Sequence, residues 1–252
     1  MELRIVHLYY NLMNTYGDDG NVICLKKRAL WRGIEPKIKG VTLGDQIDPD
    51  WADIYFFGGG QDKQQIAVSK DLVKVNSKLL KETARGGAVI FSICGGYQLL
   101  GHYYKPHQGP ELKGVGLIDV TTLAGSRRMI QNVVLAINPL LEIAGKHKTL
   151  VGFENHSGKT FLGRDATPLG EVILGGGNNG EDKTEGAFQG NVFGCYLHGS
   201  CLPKNPHFAD FLIQKALKRR YGIIELKNLD DDLEWQAHEA ILEKFAPNYL
   251  RE

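Results

Sequence analysis

Gly87-Ala-Val-Ile-Phe-Ser-Ile-Cys94-Gly-Gly-Tyr-Gln-Leu-Leu-Gly101 is the stretch from which the rest of the chain can be read. Residues 88–93 are rich in β-branched and aromatic side chains, which suits a buried strand. Cys94 follows at once, then two glycines, then Tyr97-Gln98-Leu99-Leu100 with helical preference. Strand, Cys, glycines, helix is the layout of a nucleophile elbow, written here with sulfur instead of a serine oxygen. Glycine permits the sharp reversal and the close approach of a substrate to the backbone. The sulfur is expected at a helix N-terminus, where the dipole favours a thiolate, with the Gly95 N–H free to face an oxyanion. The plain alternative is an inert core cysteine at the end of a buried strand. The Gly-Gly pair and the turn into a helix count against it.

Working outward, the first hundred residues alternate between strand and helix. Residues 3–10 read as a strand, 14–20 as a polar loop, and about 21–31 as a helix closed by Gly33. Residues 36–41 and 51–57 read as the next strands, the second ending on Gly58-Gly59-Gly60. Residues 63–85 carry helical periodicity up to Gly86-Gly87. This alternation predicts an α/β fold, a mainly parallel open sheet with helices on both faces, whose sites form outside the carboxyl ends of strands. The pattern changes after Gly114. Residues 115–122, 132–137, 149–153, 171–174 and 191–197 are strand candidates between Gly, Asn and Pro turns, which predicts a β-rich extension of the sheet. Residues 175–180, Gly-Gly-Gly-Asn-Asn-Gly, read as a surface turn. Helical pattern returns over 206–221 and about 233–245, with Asp230, Asp231 and Asp232 as N-cap and first-turn charge. With no linker or repeat, residues 1–252 are expected to form one domain with a C-terminal helical segment from about 205 to 252.

The totals narrow the classes. Apolar residues make up 42% of 252, enough for a full core. Lys plus Arg is 30 against 29 for Asp plus Glu, which gives no electrostatic case for nucleic acid or an anionic membrane. No apolar run approaches the roughly 20 residues that span a bilayer. The opening residues read as a strand and not as a signal peptide. Four cysteines without framework spacing fit a reducing compartment, so a cytoplasmic protein is expected.

A cysteine nucleophile needs a base. Val192-Phe-Gly-Cys-Tyr-Leu-His198-Gly199 is an apolar strand ending on a histidine, as the elbow strand ends on Cys94. A lone histidine is more often a satisfied structural residue. Its place at a strand end makes His198 the candidate, and positioned proton transfer typically contributes about 10²–10⁴-fold. The triple glycine is a tight turn on its own. Beside the cysteine, its N–H groups are also candidate oxyanion donors. Gly152-x5-Gly158-Lys159-Thr160 has one residue too many for a phosphate loop and no following helix. Cys195, His198 and Cys201 do not complete a zinc set, because a strand alternates its side chains. No metal and no cofactor are expected.

The Cys-x-Gly-x-Gln elbow, the upstream glycine loop and Tyr196-x-His198-Gly199 together resemble the class I (triad-type) glutamine amidotransferases, in the cobyric-acid-synthase-like branch. That implies the flavodoxin-like fold of the class. Tyr16-Gly-Asp-Asp-Gly-Asn21, Ile93-Cys-Gly-Gly-Tyr-Gln98, Gly152-Phe-Glu-Asn-His-Ser-Gly158 and Tyr196-Leu-His-Gly199 resemble, within the branch, the GatD-type glutaminase subunits. These work with a Mur-ligase-like partner, MurT. The resemblance implies Cys94 as nucleophile and His198 as its base. It implies Gln98 near bound L-glutamine, Arg128 as a glutamine-binding arginine, and oxyanion donors at Gly95 and at Gly59 or Gly60. Many triad enzymes carry a Glu two residues after the histidine; here that residue is Ser200. A Cys–His dyad is therefore expected, with a backbone carbonyl or Glu154 left to orient the imidazole.

Without an ATP site the chain alone can only deaminate glutamine. An activating partner and an enclosed ammonia route between the two are therefore implied. By resemblance the partner is a MurT-like ligase in a heterodimer, and the acceptor is the D-glutamate α-carboxylate of the lipid II stem peptide. The membrane would then be met only through lipid II held by the partner. Two other readings stay open here. One is a DJ-1/PfpI-like cysteine hydrolase, against which Gly95 stands where a histidine is usual. The other is a non-catalytic binding module that kept the fold.

Overall fold

The edge of one parallel sheet sets every distance in the site. The computed structural model describes residues 1–145, 147–222 and 225–250. Strand β1 (Glu2–Leu8) leads to helix α1 (Asp19–Leu30), then β2 (Glu35–Val41) and β3 (Ile54–Phe57). Helices α2 (Asp62–Asp71) and α3 (Ser77–Arg85) come next. They run where one helix is expected; a π-helical turn, Leu72–Asn76, joins them. Side-chain periodicity does not reveal one extra residue per turn, so the sequence reads through it. Then come β4 (Val89–Ile93) and the short α4 (Gly95–Leu100), the expected elbow pair.

The later strands are β5 (Tyr103–Lys105), β6 (Leu112–Lys113), β7 (Val120–Ile137), β8 (Thr149–Leu162), β9 (Gly170–Leu174), β10 (Thr184–Glu185), β11 (Ala187–Gln189) and β12 (Val192–Cys195). Helices α5 (Pro206–Tyr221) and α6 (Asp232–Phe245) close the chain. The first sheet has the order β11-β12-β4-β3-β1-β2 and is parallel apart from β11. Alternation explains why both its faces are covered. In β1, Leu3 and Ile5 join the core cluster with α1 and α5, whereas Val6 and Leu8 join the opposite cluster with α2 to α4.

The β-rich stretch builds a second sheet, β10-β9-β7-β5-β6 with β8 on β7, rather than lengthening the first. Its spine is the long antiparallel β7–β8 pair, whose register shifts between Ala124 and Met129. Residues 152–160, whose spacing falls short of a phosphate loop, lie inside β8. Backbone bridges tie the second sheet to the first, Thr167 to Phe188 and Phe153 to His198, the latter with the His198 N–H donated to the Phe153 carbonyl at 2.9 Å.

Two local readings are corrected. The turn at 175–180 is not a surface turn: Asn178 and Asn179 are buried, and Asn178 Nδ2 donates to the Gly186 carbonyl at 2.9 Å. Asp231 stands at the N-cap of α6 but makes no cap bond. Its carboxylate accepts two bonds from buried Arg28, 2.6 and 2.9 Å, while Asp210 takes two more from the same guanidinium. An almost fully buried arginine needs that pairing more than a helix needs a cap. The result ties α1, α5 and the start of α6 together.

Candidate active site

β12, β4 and β3 are neighbours, so the residues that leave their carboxyl ends lie side by side at one edge. Cys94 directly succeeds β4, His198 lies just past β12, and Gly58-Gly59-Gly60 succeed β3. Cys94 has φ 49° and ψ −107°, a positive φ that a side chain adopts at a cost of order 1–3 kcal/mol. Three bonds hold it there. Its N–H donates to the Cys195 carbonyl at 2.8 Å, the Gly96 N–H to Gly58 at 3.1 Å, and the Gln98 N–H to Cys94 itself at 2.9 Å. Gly96 is obligatory, since a Cβ there would stand 2.4 Å from the Phe57 carbonyl oxygen.

One glycine marks where the chemistry converges. A Cβ on Gly59 would lie 3.0 Å from His198 Cε1, 3.1 Å from Asp18 Oδ2 and 3.3 Å from Cys94 Cβ. Cys94 and His198, remote in sequence, are thus neighbours. Asp18 is the residue the sequence reading missed. It is fully buried, and its Oδ1 lies 3.4 Å from His198 Nδ1, an ion-pair approach without hydrogen-bond alignment. Burial alone would lower the pKa of His198. The facing Cys94 sulfur and the Asp18 carboxylate instead raise it to about 10.

Asp18 also accepts the Gly59 N–H at 2.6 Å. That removes Gly59 from the expected oxyanion donors, because its N–H is already given to a carboxylate. Among the described residues neither the Gly60 nor the Gly95 N–H has a backbone or side-chain acceptor, and a Cβ on Gly95 would stand 2.9 Å from Gly60 N. Glu154 does not orient His198 either. Its Oε1 accepts from Gln131 at 2.6 Å and from the Gly176 N–H at 2.7 Å, and its Oε2 from the Gly177 N–H at 2.8 Å. Burial would raise its pKa, but His156 and these donors hold it below the ordinary value.

The sulfur opens into a cavity of about 420 Å³. The first sheet contributes Gly60, Asp62, Gln65, Cys94 and Gln98; the second contributes Arg128 and residues 155–158. Arg128, and not Arg127, lines it. Arg128 Nε donates to Asn155 Oδ1 at 2.6 Å and Nη2 to the Tyr16 hydroxyl at 3.2 Å, which orients the guanidinium and leaves Nη1 without a protein partner among the described residues. Gln98 is in the lining, but both ends of its amide are engaged. Oε1 accepts from Gln65 at 2.8 Å, and Nε2 donates to the Tyr196 hydroxyl at 3.1 Å. Tyr196 stacks on His156 with ring centroids 3.5 Å apart. Behind it, fully buried Glu185 accepts the Tyr196 N–H at 2.6 Å; burial, above all, pushes its carboxyl up to about 8.

The α/β fold that carries this elbow at the carboxyl edge of its first sheet is shared with solved structures of glutamine amidotransferases. The PurLQS structure from Thermotoga maritima superposes with a TM-score of 0.57 at 18% identity, over 87% of this chain and 97% of that one. The family model of the CobB/CobQ-like glutamine amidotransferase domain matches residues 4–206, and the chain belongs to that family. Two relatives extend over nearly its whole length. The lipid II isoglutaminyl synthase (glutamine-hydrolyzing) subunit GatD of Staphylococcus aureus (strain N315) is 38% identical over 96% of each chain. The subunit of the same name from Streptococcus pneumoniae (strain ATCC BAA-255 / R6) is 40% identical over 96% of this chain and 87% of its own.

Proposed function

We propose that this chain is the glutaminase subunit of a lipid II isoglutaminyl synthase. It would work in the cytoplasm beside a MurT-like ligase that activates the D-glutamate α-carboxylate of the stem peptide with ATP. The observation that carries the chemistry is the meeting of Cys94, His198 and Asp18 around Gly59, with Cys94 in the cavity wall. The near full-length identity to two GatD subunits supports the acceptor. Among the described residues no helix is long and apolar enough to cross a membrane, in keeping with a partner that holds the lipid.

In this mechanism Cys94 and His198 act as a dyad, and Asp18 holds the imidazole where other enzymes use an acid at the position of Ser200. The sulfur attacks the side-chain carbonyl carbon of L-glutamine. The tetrahedral oxyanion is received by the N–H groups of Gly60 and Gly95, each such donor being worth about 10²–10³ in rate. The His198 imidazolium protonates the departing nitrogen, ammonia leaves, and a γ-glutamyl thioester remains. Neutral His198 then takes a proton from water as it attacks, and glutamate and the thiol are released. Arg128 Nη1 meets the substrate α-carboxylate. Gln98, its amide engaged, shapes the wall rather than touching the reacting atoms.

The test uses the chain purified with its ligase partner, ATP, lipid II and either glutamine or ammonium chloride. Cys94→Ala is expected to abolish glutamine-driven amidation and to retain ammonium-driven amidation. A wild-type pair that leaves lipid II unamidated with both nitrogen sources would overturn the acceptor. Undiminished glutamine use by Cys94→Ala would overturn the nucleophile.

A further inference from the structure

The cavity must tell L-glutamine from other amides, and the α-ammonium is the group that distinguishes it from a simple dicarboxylic monoamide. Asp62 is the one carboxylate in the cavity wall among the described residues. It opens α2, two residues beyond Gly60. Two residues reach at most about 7 Å, so Asp62 stays close to the Gly60 N–H. Asp62 has no cationic partner among the described residues, and the structure records only the Tyr104 phenol beside it. That phenol, which also lines the cavity, is pushed up to about 12, first by burial and then by the Asp62 charge. Two cations, Lys63 and Arg128, share the same wall, and Arg128 is the one that protein bonds orient, with Nη1 free of protein partners among the described residues. An anion and an oriented cation therefore face one cavity, the complement of an α-amino acid zwitterion.

We infer that Asp62 is a specificity-determining residue that receives the α-ammonium of glutamine while Arg128 receives the α-carboxylate, an assignment that rests on the glutaminase reading above. The plain alternative is that Asp62 only complements the N-terminus of α2. The two differ in what they do to a substrate without the amino group. Steady-state hydrolysis of L-glutamine and of glutaramate (4-carbamoylbutanoate) is measured for the subunit in its ligase complex, as wild type, Asp62→Asn and Asp62→Glu.

For Asp62→Asn, kcat/KM for glutamine is expected to fall about 10- to 100-fold, the worth of one charge-assisted bond, mostly through KM. The value for glutaramate stays unchanged, so the preference for glutamine collapses. Asp62→Glu keeps that preference. Equal loss for both substrates in Asp62→Asn, or no loss for either, overturns the assignment while leaving the glutaminase reading intact. A wild-type complex that hydrolyses neither substrate overturns both.

Discussion

Of the five buried histidines among the described residues, His198 and the pair His207 and His238 have surroundings that give them opposite charge. His198 is 1% exposed and faces the Cys94 sulfur and the Asp18 carboxylate. His207 on α5 and His238 on the inner face of α6 are similarly hidden, beside Trp235, but among the described residues they face no anion at hydrogen-bond distance. His207 Nε2 donates to the Thr149 carbonyl at 3.0 Å; His238 Nδ1 donates to the Lys204 carbonyl at 2.8 Å, with Nε2 at 2.9 Å from the Thr149 hydroxyl. Burial lowers these two, to about 3 and about 4, whereas His198 is held at about 10. Desolvation penalises the imidazolium in all three; the sign is decided by whether a negative group stands at the ring. One pair fastens the C-terminal helix with neutral rings. The other ring is kept protonated next to a sulfur, as an acid for a leaving amine must be.

Removing the sulfur breaks this contrast most severely. Cys94→Ala is expected to lower glutamine hydrolysis by about 10⁴-fold or more and to bring the His198 pKa down, read from its ring resonances over pH. An unmoved resonance would mean that the two groups do not interact. Asp18→Asn keeps an oxygen for the Gly59 N–H but removes the charge. A loss of about 10²-fold in kcat is expected, with a lower His198 pKa and with KM little changed.

At the other histidines the readout is stability. Their folded pKa values lie below the unfolded 6.5, so the stability they contribute is present above pH 6.5 and lost as pH falls towards 4. The loss is up to about 1.4 kcal/mol per histidine per pH unit. His238→Gln is expected to flatten the decline of Tm between pH 6.5 and 4, and an unchanged slope would contradict the assignment. Glu185 gives a slope of the opposite sign. Its raised pKa gives stability that is full below 4.5 and lost as pH rises through about 8. Glu185→Gln is expected to remove that loss, so that Tm falls less than in the wild type between pH 4.5 and 8, and an equal fall would contradict the assignment.

Legibility in the sequence depended on how local each feature is. The elbow was legible because a strand, a cysteine, two glycines and a helix are consecutive, and His198 because it ends an apolar run. Asp18 was hidden in a polar, glycine-flanked loop. Nothing local distinguishes a solvated aspartate from one buried beneath a histidine that enters from the far end of the chain. An aspartate at the N-cap position of α1 that makes no cap bond is the sign of another employment, and it is visible only in coordinates. The two-sheet arrangement was hidden for a related reason. The middle of β7, around Arg127 to Gln131, is polar and exposed, so alternation fades where the strand is longest. Asp62 and Gln65 carry no local signal in the sequence, since the cavity that gives them meaning is closed by the second sheet.

The most direct measurement is mass-spectrometric labelling of the protein with a γ-diazoketone analogue of L-glutamine. One adduct per chain is expected, on Cys94, with labelling slowed by free L-glutamine and by Asp18→Asn. A folded protein that gives no adduct at Cys94, or one whose labelling glutamine does not slow, would show that the sulfur at this elbow is not the glutamine-reactive group.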